Sequence, residues 1–147
     1  MKLMLKYAPT LWRDITTLGG FFFYAVVTLL SLIVGEKILF RQLMLGFIIT
    51  AVVVVGIRLV YFKPRPVKQQ YHNLIEKIDA SSFPSWHLAR ALYLALILGK
   101  VMGNLVVPIF IALLVGYSRL YLKKHDWIDL IGGMVLAGVT YLIVILF

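Results

Sequence analysis

The sequence predicts an all-α protein, a polytopic transmembrane helix bundle of about five spans preceded by an N-terminal amphipathic interfacial helix. Two observations carry this. Of the 147 residues, 62% are hydrophobic and the mean hydropathy is +0.96, too apolar for an ordinary soluble domain. The apolar residues also gather into runs long enough for a bilayer core of ~30 Å, which takes about 20 residues of helix. The length suits a single integral membrane domain over residues 1–147.

In chain order, Leu3 to Ile15 reads as a helix lying in the interface, with Trp12 at head-group depth and a break at Pro9. Five spans follow: Leu18 to Val34, Gln42 to Phe62, Pro84 to Gly99, Leu105 to Tyr121 and Trp127 to Phe147. The third and fourth are short, and long flanking side chains can snorkel to make up the length. The third carries His87 and Arg90, and the fourth carries Pro108. Gly132, Gly133 and Gly138 suit close helix packing in the last span. Met1 to Asp14 mixes charged and apolar residues and does not read as a cleaved leader.

The formal charge of +9 suits anionic head groups or phosphorylated substrates. Nucleic acid is excluded as a partner, because the basic residues sit between apolar runs and form no solvated stripe. Without cysteine there is neither a disulfide framework nor a thiolate metal site.

Three polar blocks interrupt the apolar chain. The first is Arg58 to Pro66, the second Ser82 to His87, and the third Ser118-Arg119 with His125 and Asp129. Cations and histidines within membrane-spanning sequence are costly and therefore functional candidates. Helices that cross in alternate directions bring all three blocks to one membrane face. Arg58, Arg65 and Arg119 are fixed cations able to fork onto phosphate oxygens. Pro84 suits a helix start, where the free backbone N–H groups form an anion site with Ser85. His87, one turn in, can reach a leaving-group oxygen. His125 and Asp129 are spaced i, i+4 and share a helix face. There the carboxylate can hold one ring nitrogen and leave the other free to attack.

Each residue also has a plainer reading. The arginines serve as positive-side anchors, the histidines as satisfied interfacial groups, and Asp129 as a salt-bridge partner of Lys124 or a neighbouring arginine. Trp86 and Trp127 read as interface-belt residues. Arg90 reads as the structural partner of an acid such as Glu76 or Asp79.

Jointly, the blocks resemble the motifs of the type 2 phosphatidic acid phosphatase family, which includes lipid phosphate phosphatases and vanadium haloperoxidases. The family's first motif is Lys, six residues, Arg-Pro; here Arg58 and Arg65-Pro66 match, with Arg in the Lys position. The second is Pro-Ser-Gly-His, matched by Pro84-Ser85-Trp86-His87 except at Trp86. The third is Ser-Arg, five residues, His, three residues, Asp; Ser118-Arg119, His125 and Asp129 match in full. The resemblance covers Arg58 to about Gly138, the motif core.

The resemblance implies roles residue by residue. Arg58, Arg65 and Arg119 would bind phosphate, with Ser85 and the backbone N–H groups near Trp86 and His87 completing the cradle. His125 would be the nucleophile, Asp129 would hold its ring, and His87 would protonate the leaving oxygen. No metal and no other cofactor is implied, and the chain shows no acidic cluster suited to magnesium. Trp86 replaces a glycine beside the phosphate and is expected to pack at the lipid interface, narrowing the head-group entrance.

The expected function is that of an integral membrane lipid phosphatase, acting on polyprenyl diphosphate, phosphatidylglycerol phosphate, phosphatidic acid or lipid A 1-phosphate. The expected location is the cell (inner) membrane, multi-pass. A non-catalytic lipid-phosphate binder or transport subunit is the alternative; it would not need both histidines and Asp129. Vanadate-dependent oxidation is disfavoured because relatives with that activity are large and soluble. Apart from the motif arginines and Arg90, eight basic residues fall on the active face: Lys2, Lys6, Arg13, Lys63, Lys68, Lys77, Lys123 and Lys124. Three fall on the other: Lys37, Arg41 and Lys100. The positive-inside rule then favours a cytoplasmic site, whereas six-span relatives usually place theirs outside.

Overall fold

The computed structural model describes residues 2–67 and 69–146, with side chains from Pro9 onward. Lys68, Phe147 and the side chains of Lys2 and Lys6 lie outside the described residues. The described residues form seven helices: α1 (Lys2–Thr17), α2 (Phe21–Ile33), α3 (Lys37–Val60), α4 (Leu74–Ala80), α5 (Trp86–Met102), α6 (Val106–Tyr121) and α7 (Trp127–Leu146). No strand occurs among the described residues; a lone antiparallel bridge joins Pro64 to Ser81.

Among the described residues, three stretches are long and apolar enough to cross a membrane: Pro9–Ile33, Lys37–Val60 and Trp127–Leu146. The α6 helix is a shorter apolar helix, and α5, with 17 residues, rises ~26 Å. The surface is apolar where a soluble protein's would be polar. Phe22, Ile33, Val60, Val106 and Leu146 are all exposed on the outside of the bundle. An apolar outer surface of this kind suits an integral membrane protein.

Sequence and structure part company first at the N-terminus. Pro9 does not break α1, which runs through it; losing one N–H donor removes a single backbone bond. The break falls at Leu18 to Gly20, after which α2 begins at Phe21. There the chain crosses closely over α5: a Cβ at Gly19 would stand 2.7 Å from the His87 carbonyl oxygen. With only 13 residues, α2 spans ~20 Å, so α1 and α2 together supply the first crossing. The α1 helix packs on α6, with the Trp12 ring centroid 4.9 Å from that of Tyr117.

The α3 helix starts at Lys37, five residues before the expected Gln42, and stops at Val60. Tyr61 turns extended, leading to Pro64, which lacks the N–H a helix would need. Pro108 lies in the first turn of α6, where its missing donor costs nothing. The short α4 was not anticipated. Asn73 caps it by accepting from the Glu76 N–H at 2.8 Å, while the Glu76 carboxylate takes the Asn73 amide and the His72 N–H. This resembles a capping box, with the Glu76 carboxylate reaching back to the N–H of His72, one residue before the cap, in place of that of Asn73.

The α5 helix is the axis of the bundle and packs on α3, α6 and α7. Ala89, Ala91, Ala95 and Gly99 keep it slim, and buried residues occur all around it. Tyr24, Leu43, Tyr93, Leu94, Ile97, Ala137 and Val144 form one core cluster joining α2, α3, α5 and α7. Tyr93 is fully buried and donates to the Gln42 carbonyl at 2.7 Å. Gly46 makes room for its ring. Gly132 and Gly133 let α7 reach the start of α5, since Cβ atoms there would strike Phe83 and the Ser85 carbonyl. A Cβ at Gly138 would meet nothing within 4 Å, so no close helix approach requires glycine there.

Gly46→Ala sets a Cβ 2.1 Å from the Tyr93 ring. We expect it to cost about 1–3 kcal/mol, read as a lower thermal midpoint in detergent. Gly138→Ala should leave the midpoint unchanged or raise it.

Candidate active site

The three polar blocks meet at one end of the bundle, as the span parity requires. Arg58, in the last turn of α3, donates to the Pro84 carbonyl ahead of α5 at 3.0 Å. Lys63 bonds Asp129 at the start of α7 at 2.8 Å. Ser85 N–H donates to the Asp129 carbonyl at 2.9 Å. Three helix ends, those of α3, α5 and α7, are thus tied together.

Asp129 is fully buried. Its carboxylate accepts from Lys63 Nζ and, at 3.3 Å, from Ser82 Oγ. It also accepts from the Asp126 N–H at 3.0 Å, while Asp126 Oδ1 accepts from the Asp129 N–H at 3.0 Å. This reciprocal pair caps α7 in the manner of a capping box and sets a negative charge at the positive end of the helix. Lys63 Nζ also lies 2.5 Å from Asp126 Oδ2. Burial would lower the Lys63 ammonium, but the two carboxylates outweigh it and hold it above its ordinary value. The partner of Asp129 is therefore Lys63, neither Lys124 nor an arginine.

His125 Nδ1 faces Asp129 Oδ2 at 3.5 Å, close enough for an ion pair and long for a hydrogen bond. Contacts of this kind commonly tighten only when ligand binds. Its Nε2 lies 3.4 Å from Arg119 Nη2. With the proton on Nδ1 toward Asp129, the Nε2 lone pair faces the Arg119 guanidinium. Burial pushes His125 below the ordinary imidazole value; Asp129 pulls it up, and Arg119 and Arg65 push it down. The ring is thus neutral at neutral pH.

Arg119, also buried, is steadied by donation to Thr16 Oγ1 of α1 at 3.1 Å. Arg65 donates to Gln69 Oε1 and the Asp79 carbonyl, both at 2.5 Å. The two terminal nitrogens of Arg58 are taken by the Ile78 and Pro84 carbonyls. Arg58 therefore clamps the loop against α5, while Arg119 and Arg65 stand among the charges around His87, together with His125 and Arg90. Ser85 Oγ is fully buried with no partner. It sits beside the first N–H groups of α5, which have no acceptor within the helix. A hydroxyl and free amides at a helix N-terminus form an anion cradle.

Two expectations are corrected. Trp86 does not sit out at the head-group level. Its ring stacks on Phe47 of α3 at 6.2 Å, inside the bundle, because its helix is enclosed by α3 and α7. Among the described residues Arg90 has no acidic partner: Glu76 serves His72 and Asn73, and Asp79 faces Arg65. Trp127 is exposed, as an interface-belt residue would be. Lys63, Ser82, Asp126 and Thr16 belong to the site and were missed. The Asp126-x-x-Asp129 spacing was a readable cap signal, whereas nothing local points to Thr16. Among the described residues, no three His, Asp or Glu side chains converge as metal ligands.

The fold and this constellation define a class. Residues 42–147 match the model of the PAP2 superfamily, more than half of the chain, and the protein belongs to that family. A curated relative is undecaprenyl-diphosphatase BcrC of Bacillus subtilis, 37% identical over 83 residues. That match covers 55% of this chain and 43% of the relative, less than half of its length. Among solved structures, LpxE of Aquifex aeolicus superposes with a TM-score of 0.78 at 20% identity, covering 95% of this chain and 86% of that one. The superposition shows a shared fold.

Histidine NMR in detergent should show His125 titrating below the free-imidazole value of about 6.5. Asp129→Asn removes the charge that raises it, so the midpoint should fall further. A midpoint at or above 6.5 in the unsubstituted protein would contradict this electrostatic reading.

Proposed function

We propose that residues 1–147 act as one unit, an integral membrane lipid phosphatase that cleaves a phosphomonoester or diphosphate of a membrane lipid. The observation that carries the reading is the His125–Asp129 pair, with Nδ1 toward the carboxylate and Nε2 against the Arg119 guanidinium, in a site that also holds the buried, unpartnered Ser85 hydroxyl. A protein that only bound lipid phosphate would need the cations but not an oriented nucleophile.

In the proposed reaction, His125 Nε2 attacks phosphorus and forms a P–N bond as the bond to the leaving oxygen breaks. His87 gives its proton to that oxygen; the negative charge of the bound phosphate favours the protonated ring. Arg119 and Arg65, with Ser85 and the amides of Trp86 and His87, stabilise charge on the transferring group. His87 then takes a proton from water, which attacks phosphorus and frees His125. Arg58 contributes by clamping the loop. No step requires a metal.

An apolar groove of ≈ 240 Å³ begins about one turn beneath His87, lined by Leu18, Ala91, Ala95, Pro108, Ile111 and Val115 among others. It is proposed to take the hydrocarbon chain, leaving the phosphate at the polar end. The named activity of the Bacillus relative supports a polyprenyl diphosphate first among the candidates. Phosphatidylglycerol phosphate, phosphatidic acid and lipid A 1-phosphate follow. The proposed location is the cell (inner) membrane, multi-pass.

Phosphate release from this panel, in detergent with a chelator, tests the proposal. The unsubstituted protein should release phosphate, and folded His125→Ala should lose at least about 1,000-fold. Retained turnover in His125→Ala would rule out the mechanism, and turnover abolished by the chelator would rule out metal independence.

A further inference from the structure

Arg90 is a buried cation that the proposed reaction has not used. It is 5% exposed, in a helix enclosed by α3, α6 and α7. Among the described residues it has no ion-pair partner, and its Nε is buried without a hydrogen bond. Its guanidinium carbon lies 4.8 Å over the Trp86 ring. That cation–π contact offsets only part of the cost of a desolvated charge. An unpaired cation inside a membrane bundle marks a place for an anion that arrives from outside.

Its position says which anion. Arg90 follows His87 by three residues, so both occupy one face of α5. Its Cα lies about 4.5 Å further from the polar end. Helix side chains lean toward the N-terminus, and the stack on Trp86 shows that this one does. The guanidinium is thereby brought beside His87, on the hydrocarbon side of the phosphate cradle. In the proposed reaction His87 faces the leaving oxygen, so Arg90 faces what lies beyond it.

We propose that Arg90, shelved on the Trp86 ring, binds the non-transferred phosphoryl group of a lipid diphosphate, and that the site is built for diphosphate over monoester substrates. This rests on the phosphatase reading above. His125 Nε2 bonds to the terminal phosphorus, and the bond from that phosphorus to the bridging oxygen breaks. The bridging oxygen keeps the electron pair, takes the His87 proton and departs with the lipid monophosphate. Arg90 neutralises part of the charge on that leaving monophosphate. With a monoester the leaving group is an alcohol, which gives Arg90 nothing to grip. Trp86 acts as a positioning residue through Arg90.

Farnesyl diphosphate and farnesyl monophosphate share one chain, so the ratio of their kcat/KM values isolates the second phosphate. The ratio is also independent of how much of a variant is folded. Arg90→Gln should lower the diphosphate-to-monophosphate ratio by about 100-fold, the scale of losing one transition-state donor. Arg90→Lys should recover part of it. Trp86→Leu should lower the ratio and Trp86→Phe keep it. If Arg90→Gln does not accumulate, Arg90→Lys against the unsubstituted protein decides by the same criterion. Equal losses on both substrates, or an unchanged ratio, would make Arg90 structural and overturn the assignment. An unsubstituted protein inert on both esters and on the wider lipid panel would instead overturn the phosphatase reading, and this assignment with it.

Discussion

The Asp129 carboxylate is buried with no solvent contact and accepts from Lys63, Ser82 and the Asp126 N–H, with His125 Nδ1 on its remaining side. A desolvated carboxylate costs several kcal/mol unless its lone pairs are met. Here they are met by groups from the loop after α3, the segment before α5 and the loop before α7. Meeting that one charge fixes the relative position of three chain segments that are far apart in sequence. The Asp129 carbonyl adds a fourth tie by accepting from Ser85 N–H. Removing Asp129 would therefore do more than release a histidine. It would unpin the start of α5 from the start of α7 and leave Lys63 with only Asp126.

The arrangement explains why the polar end can be dense with charge while the rest of the bundle is nearly all apolar. Slim residues on α5 let α3, α6 and α7 close around it, and glycines 132 and 133 bring α7 against Ser85. Ser85, at the N-cap of α5, thus arrives fully buried with its hydroxyl unpartnered. Arg58 reinforces this from below through the Pro84 carbonyl. Of the cations that remain near His87, Arg119 is held by the neutral Thr16 hydroxyl, while Arg65 is held by Gln69 and the Asp79 carbonyl with the exposed Asp79 carboxylate 3.9 Å away. Neutral partners fix a guanidinium without cancelling its charge, which suits a site for an anion.

Much of this was legible in the sequence. Apolar run length gave four of the five spans to within a few residues, and counting spans between the polar blocks put the blocks on one face. His125 and Asp129 do meet, though not on a helix face as their i, i+4 spacing suggests: His125 lies in the loop ahead of α7, whose first turn carries Asp129. The misses have physical causes. Pro9 looked like a breaker, yet one lost backbone bond is tolerated, and the real break at Leu18 to Gly20 answers to the His87 carbonyl across the bundle. Arg90 was given an acid by charge matching, but Glu76 and Asp79 are used locally within and beside α4. Trp86 was placed outside because tryptophans favour interfaces; the stack between Phe47 and Arg90 is a tertiary contact with no local signal. Lys63 and Thr16 were invisible for the same reason, since their partners lie 66 and 103 residues away.

The central claim is that the Asp129 node orients His125 as a nucleophile. The most direct test is a single-turnover reaction with substrate labelled on the terminal phosphoryl group, quenched in alkali and mapped by peptide. The account predicts an alkali-stable, acid-labile phosphoryl group on His125 that forms and decays at rates compatible with turnover. Label on another residue, or turnover with no phosphorylated enzyme at any time point, would contradict it.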